Sequence, residues 1–398
     1  MERRTDWTLV GLLVASGIVA AFHVGKMPPA LPAVRADLDA TLRQGGWLLS
    51  VINLMTAVGG MAIALTADRF GHRRLVLAGT AICLLASLFG ALAGDVGQLL
   101  ASRFVEGLGF IAITVSAPPL LLRIAAPADA RRAMSLWTAY MPAGAGTMMF
   151  AAALILPLAS WRVVWLVAAA ASAVMLLALL LRPPLSQAAE PTATATRSVW
   201  RDMLEVATSG GPLATALCFA AYSSCWYAIV GFLPTLQIER LKFDASTAAI
   251  VTALVTFVNV GGNLAAGMLL GRGVARVALI VGAAVPMVFC AGGIFVDGVP
   301  DLVRLILAGI YSAAIGVVPG ALFTAIPIHA PRPQLVGAAT GLLMQGSNIG
   351  ALLGPPVTAA LVSSGGWPAA AWLSSGALAI VAASAVFLHR RERRRVTA

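Results

Sequence analysis

Charge is scarce in this chain of 398 residues: Asp, Glu, Lys and Arg together make up 11% of it, where soluble domains carry roughly a quarter. Cysteine and histidine occur four times each. Cys83, Cys218, Cys225 and Cys290 stand inside apolar runs with no CxxC spacing, which speaks against a disulfide framework and a cysteine zinc site. His23, His72, His329 and His389 show no ligand spacing, and no glycine-rich phosphate loop or nucleophile–base constellation is present. An ATP-driven pump or a membrane enzyme is therefore not expected, and no cofactor or metal is called for.

What the chain does have is apolar sequence, 60% of it, with a mean hydropathy of +0.90. That composition is expected of an integral membrane protein, with the lipid bilayer as its first partner. The formal charge of +11 would suit a nucleic-acid partner only if the basic residues shared one folded face with polar or aromatic neighbours. They fall in the gaps between apolar runs, so they report topology and no nucleic acid is expected.

Twelve runs approach the roughly 20 residues needed to cross a bilayer: 7–34, 47–67, 75–93, 99–122, 133–158, 163–181, 213–236, 246–270, 274–296, 302–328, 336–362 and 367–388. Of the 27 Lys and Arg residues, Lys26 and Arg103 fall well inside runs; 19 lie in the tails and every second gap or, as Arg276 does, at the edge of one, and six lie in the remaining gaps or, as Arg304 does, at the edge of one. Because basic residues are retained on the cytoplasmic side, both termini are expected inside. The leader MERRTDW enters the first run without a small-residue cleavage site, so that run reads as a retained span and not a signal peptide.

The longest gap, 183–211, is rich in Pro, Ala and Thr and reads as a cytoplasmic linker between a bundle over 1–182 and a bundle over 212–398 that ends in a basic tail. A weak internal repeat relates the two. Ser160, Trp161 and Arg162 fall on Gly366, Trp367 and Pro368, and Gly144 falls on Gly350, at one offset of 206. At a slightly smaller offset Arg69 falls on Arg272, and Gly71 is roughly matched by Gly273.

Between the second and third runs stands ALTADRFGHRR, residues 64–74, whose charges confine it to a short aqueous loop. The order of Asp68, Arg69, Gly71, Arg73 and Arg74 resembles the signature loop of the major facilitator superfamily of secondary transporters, although Ala64, Thr66 and His72 depart from the family pattern. In LASRFVEGLGF, Arg103 and Gly107 resemble the second motif of that family, with Glu106 where Gln is common. MPPALPAV, after Lys26, is similar to the outer end of its first helix, and GFLPTLQIERL with the 259–264 run resembles cyanate-permease-like members. The resemblance covers essentially the whole chain. It implies an all-α integral membrane fold of twelve transmembrane helices in two six-helix bundles, a monomer in a bacterial inner membrane, working by alternating access. It further implies that spans one, four, seven and ten line a central cavity. Asp68 would then pair with basic groups of neighbouring helices when the cytoplasmic side closes, with Arg69 and Arg73 supporting that latch and Gly71 permitting the turn. A loop that only enforces topology is the alternative.

An ionised side chain at the centre of a bilayer costs about 2.5–3.5 kcal/mol on insertion scales, so it needs a partner, water or a function. Helical rise places His23 and Glu106 at similar depth, with Lys26 and Arg103 about one turn further out. The four sum to one positive charge, or two with His23 protonated. They are expected to form an electropositive site for a small anion, a carboxylate, with Lys26 and Arg103 as its charge partners. His23 and Glu106 are the candidates for carrying a proton, and Glu106 as a structural partner of Arg103, three residues away, is an equal alternative.

Tyr222, Trp226 and Tyr227 gather in run seven, either lining a substrate cavity or packing in lipid. Asn259 and Asn348 are candidate substrate contacts; Asn53, Asn263 and Gln345 read as interhelical hydrogen bonding. Gly346, Gly350 and Gly354 give run eleven a smooth face, with Pro355 and Pro356 bending it. This pattern resembles the family's antiporter motif, which belongs in span five. The expected function is proton-coupled transport of a small anion. The alternative is drug or metabolite efflux by proton antiport, against which stand Lys26, where drug antiporters carry an acidic residue, and the displaced motif.

Overall fold

The computed structural model describes residues 5–58, 71–129, 133, 136–137, 139–182, 199–296, 298–332 and 335–396. All regular structure among them is helical. Fifteen helices carry labels here. In the first part of the chain they are α1 (Trp7–Gly25), α2 (Met27–Asp37), α3 (Leu42–Ser50), α4 (His72–Ala91), α5 (Val96–Ile124), α6 (Tyr140–Ile155) and α7 (Trp161–Leu180). They continue with α8 (Val199–Thr208), α9 (Gly210–Val230), α10 (Leu233–Glu239), α11 (Ala245–Gly271), α12 (Arg276–Phe295), α13 (Asp301–His329), α14 (Val336–Gly365) and α15 (Pro368–Val396).

Among the described residues, nine helices are long and apolar enough to cross a membrane. Three of the twelve expected runs stand outside that set. Run 47–67 extends beyond the described residues, 133–158 is represented by the 16-residue α6, and 336–362 forms the 30-residue α14. In α14 the glycines, Gln345 and Asn348 dilute the hydropathy without interrupting the helix.

Local chemistry sets the ends. Asp6 caps α1 by accepting from the Leu9 N–H at 3.0 Å, and Asp95 caps α5 by accepting from Gln98 N–H at 2.9 Å. Pro28 and Pro29 have no N–H to give to the carbonyls of Val24 and Gly25, so the first span breaks at Lys26 and resumes as α2. Gly71 (φ 87°) and Gly273 (φ 84°) take the left-handed conformation just before α4 and α12, where a side chain would be strained.

The chain divides into two compact units. The first comprises Met1–Ala40, Ala62–Ala195 and Phe243–Ala253. Its helices approach closely at glycines: a Cβ on Gly25 would run into the Ala145 backbone of α6, one on Gly144 into the Ile18 carbonyl of α1, and one on Gly79 into the Gly109 carbonyl of α5. The second unit comprises Thr41–Met61, Thr196–Lys242 and Leu254–Ala398. There Gly346, Gly350 and Gly354 of α14 lie against Ala216, Ala220 and Ser224 of α9, one helical turn apart each time. Thus α6 packs on α1 through Gly144 as α14 packs on α9 through Gly350, the pair that the sequence repeat aligns.

Candidate functional site

Four ionisable side chains meet inside the first unit. His23 and Lys26 come from the end of α1, Arg103 and Glu106 from the middle of α5, and all four are at 0% exposure. The break at Lys26 opens this part of α1, and Arg103 Nη1 donates to the backbone carbonyl of His23. The spacing of three residues within α5 places Arg103 and Glu106 on one face, and Arg103 Nη1 reaches Glu106 Oε2 at 2.6 Å. Glu106 Oε1 accepts from Lys26 Nζ and faces His23 Nδ1 at 3.1 Å. One carboxylate therefore serves three basic groups, which is how the cluster can be buried without a bare charge.

Two hydroxyls and one ring complete the shell. Lys26 Nζ donates to Ser87 Oγ of α4 at 2.7 Å and lies 4.6 Å from the centre of the Trp165 ring of α7. Ser87 in turn donates to the Trp165 carbonyl at 2.9 Å. His23 Nε2 is 2.9 Å from Ser172 Oγ of α7, which also stands 2.9 Å from the Ala168 carbonyl. The cluster is thus enclosed by α1, α4, α5 and α7 of one unit, and it is tighter than the two-level arrangement that helical rise suggests. Ser87, Trp165 and Ser172 are absent from the sequence-derived set. A signal for one of them exists: Ser172 is the sole hydroxyl in run 163–181.

In the second unit Tyr222 of α9 and Asn259 of α11 are both buried. Asn259 Nδ2 donates to the Ser312 carbonyl of α13 at 3.1 Å and Asn263 Nδ2 donates to Asn259 Oδ1 at 2.8 Å. Trp226 and Tyr227 are half-buried on the same helix as Tyr222. Asn348 turns its amide to the Met344 carbonyl of its own helix at 2.8 Å.

Of the residues assigned to the gate, Asp68 and Arg69 lie outside the described residues. Gly71 takes its left-handed turn, and Arg73 Nη2 donates to the carbonyls of Leu179 and Arg182 at 3.4 and 2.9 Å. A guanidinium at those carbonyls complements the negative end of α7.

Apolar helices of spanning length with a closed ionic cluster in their midst define a multi-pass membrane protein. The sequence model of the Major Facilitator Superfamily matches residues 13–342, and the chain belongs to that family. An uncharacterized transporter of Escherichia coli (strain K12), YebQ, is 26% identical over 62% of this chain and 58% of its own length. The 3-(3-hydroxy-phenyl)propionate transporter of the same organism is 25% identical over 96% of this chain and 90% of its own. Other relatives, matched over shorter stretches, bear the names of drug exporters. This chain therefore spans less than two thirds of YebQ and of those exporters, but nearly all of the phenylpropionate transporter. Among solved structures, a bacterial homologue of the human lysosomal transporter Spinster, inward-facing and occupied, superposes with a TM-score of 0.75. The superposition covers 98% of this chain and 96% of that one at 17% identity, a likeness of fold.

Proposed function

We propose that this protein is a proton-coupled carrier of a small organic anion in a bacterial inner membrane. Both termini are cytoplasmic, and 1–182 and 212–398 act as the halves of an alternating-access cycle joined by the linker 183–211. The observation that carries the reading is the Glu106 carboxylate held at once by Lys26, Arg103 and His23 in full burial.

The chemistry follows from charge counting. With neutral His23 the cluster holds one excess positive charge. A proton taken up by His23 or Glu106 raises that excess to two, and one monovalent anion restores it to one. Since uncompensated charge is expensive in a low-dielectric interior, proton and anion stabilise each other's binding and travel together. Lys26 and Arg103 are the groups that accept the anion when the cluster opens. Tyr222, Trp226, Tyr227, Asn259 and Asn348 are the substrate contacts proposed for the second half. A carboxylate bearing an aromatic ring, as in the name of the phenylpropionate relative, suits such a set.

The exporter names among the relatives favour a second reading, efflux of a drug by proton antiport. A thermal-shift screen of the purified full chain separates the two, using anionic, neutral and cationic metabolites across the physiological pH range with 3-(3-hydroxyphenyl)propionate among the anions. Stabilisation by anions, stronger at lower pH, is expected. Stabilisation by cations alone would overturn the anion reading.

A further inference from the structure

We infer that Ser172 is a hydroxyl switch that makes His23 Nε2, on the side of the ring away from Glu106, the seat of the transported proton. This rests on the proton-coupled reading above and assigns within it a residue and an atom.

The hydroxyl of Ser172 stands 2.9 Å from two different partners, His23 Nε2 and the Ala168 carbonyl, and it has one hydrogen to give. With neutral His23 carrying its proton on Nδ1, that proton is donated to Glu106 Oε1 at 3.1 Å, and the bare Nε2 accepts from the Ser172 hydroxyl. When a proton binds at Nε2, an N–H forms there and donates to Ser172 Oγ, and the serine hydrogen turns to the Ala168 carbonyl. No other bond changes, and both charge states of the ring keep two hydrogen-bonded nitrogens. Buried polar groups rarely have a neighbour that serves both states equally. At the Glu106 carboxylate Lys26 and Arg103 can only donate, so a proton there competes with two fixed cations, and its one possible acceptor is His23 Nδ1.

The groups facing His23 are few. On its own helix stands Lys26, whose Nζ is 3.5 Å from Nδ1. Arg103 and Glu106 face it from α5, with Cys83 of α4 behind Glu106 at 3.7 Å from the Glu106 carbonyl. From α7 come Ser172 and Trp165, neither of which carries charge. Nε2 thus meets an uncharged hydroxyl, whereas Nδ1 meets Glu106 at 3.1 Å and Lys26 at 3.5 Å.

The test is a nitrogen-NMR titration of the histidine rings in the purified full chain in lipid nanodiscs, with protons as the only ligand and the His23 signal identified by its loss in His23→Gln. Ser172→Thr keeps the hydroxyl; Ser172→Val has nearly the same volume without it, and Ser172→Ala serves the same purpose should the valine variant not fold. The wild type and the threonine variant are expected to titrate at Nε2 with one midpoint. The valine or alanine variant should move to lower pH by about one unit, a tenfold loss of proton affinity, because the charge-assisted bond lost by the protonated ring is stronger than the neutral bond lost by the other state. An unchanged midpoint without the hydroxyl overturns the inference, and so does a His23 ring that stays silent while a Glu106 carboxyl band titrates in the infrared. The titration needs no substrate. A chain that titrates as stated but does not accumulate anions under a pH gradient would overturn the transport reading alone.

Discussion

Lys26 Nζ and Glu106 Oε1 are in direct ionic contact across 80 residues of sequence, with both side chains at 0% exposure. The contact joins the break in the first span to the middle of α5, and Arg103 and His23 bind the same carboxylate. Removing Glu106 leaves Lys26 and Arg103 buried without a counter-charge, and removing a basic member takes one hydrogen-bond partner from the carboxylate. The variants below follow from that dependence.

Lys26→Ala and Arg103→Ala each remove the excess positive charge. Both variants should lose stabilisation by anions in the thermal-shift assay. Removing one partner of a buried pair costs about 3–5 kcal/mol, and both variants should fall at or below the lower end because Glu106 keeps two partners in each. Anion stabilisation equal to wild type in both would remove the cluster from the binding chemistry.

Gly350→Ala puts a methyl group against the Ala220 backbone of α9, whereas Gly376→Ala meets nothing within 4 Å. Overpacking of this kind costs about 1–3 kcal/mol. Thermal unfolding in detergent should show a lowered midpoint for the first variant and none for the second. Gly144→Ala, against the Ile18 carbonyl, should behave like Gly350→Ala.

Arg332 holds Glu205 of α8 with two hydrogen bonds, at 2.9 and 2.6 Å, and Asp202 with a third at 3.0 Å. The guanidinium is 32% exposed, so solvent screens the network and its contribution is small. Arg332→Gln should speed hydrogen exchange of the Val199–Thr208 amides by up to about fivefold. High salt should have the same effect on the wild type. Unaltered exchange would show that α8 is held by its buried Val206 side alone.

Asp68→Asn addresses the gate from the side that sequence alone supplies. Counterflow in proteoliposomes should fall at least tenfold while anion stabilisation in the thermal-shift assay stays at the wild-type level. Full counterflow would leave that loop a topological role only.

Much of this architecture is legible in the sequence, and the reason is physical. Apolar runs of spanning length, caps such as Asp95 and the Pro28–Pro29 break are local signals, and the alignment of Gly144 with Gly350 already marks two equivalent packing faces. The four ionisable members of the cluster are conspicuous because hydrocarbon makes an ionised group costly. Their partners were not legible in the same way. Periodicity says that Ser87 and Ser172 lie in spans, but which face of α4 or α7 turns toward α1 is decided by packing between helices far apart in sequence. Helical rise likewise separated Lys26 from Glu106 by a turn, because it treats the spans as straight and parallel; the break at Lys26 and the reach of two long side chains close that distance. Asn348, singled out for its polarity, bonds its own helix, a choice that a sequence does not encode by spacing.

The central claim is that the buried cluster couples an anion to a proton. It is tested most directly by pH-gradient-driven uptake into proteoliposomes of the anion selected in the thermal-shift screen, comparing wild type with Glu106→Gln. The prediction is accumulation by the wild type under an inward proton gradient, abolished by a protonophore, and no accumulation by Glu106→Gln. Equal accumulation by the two would contradict the account.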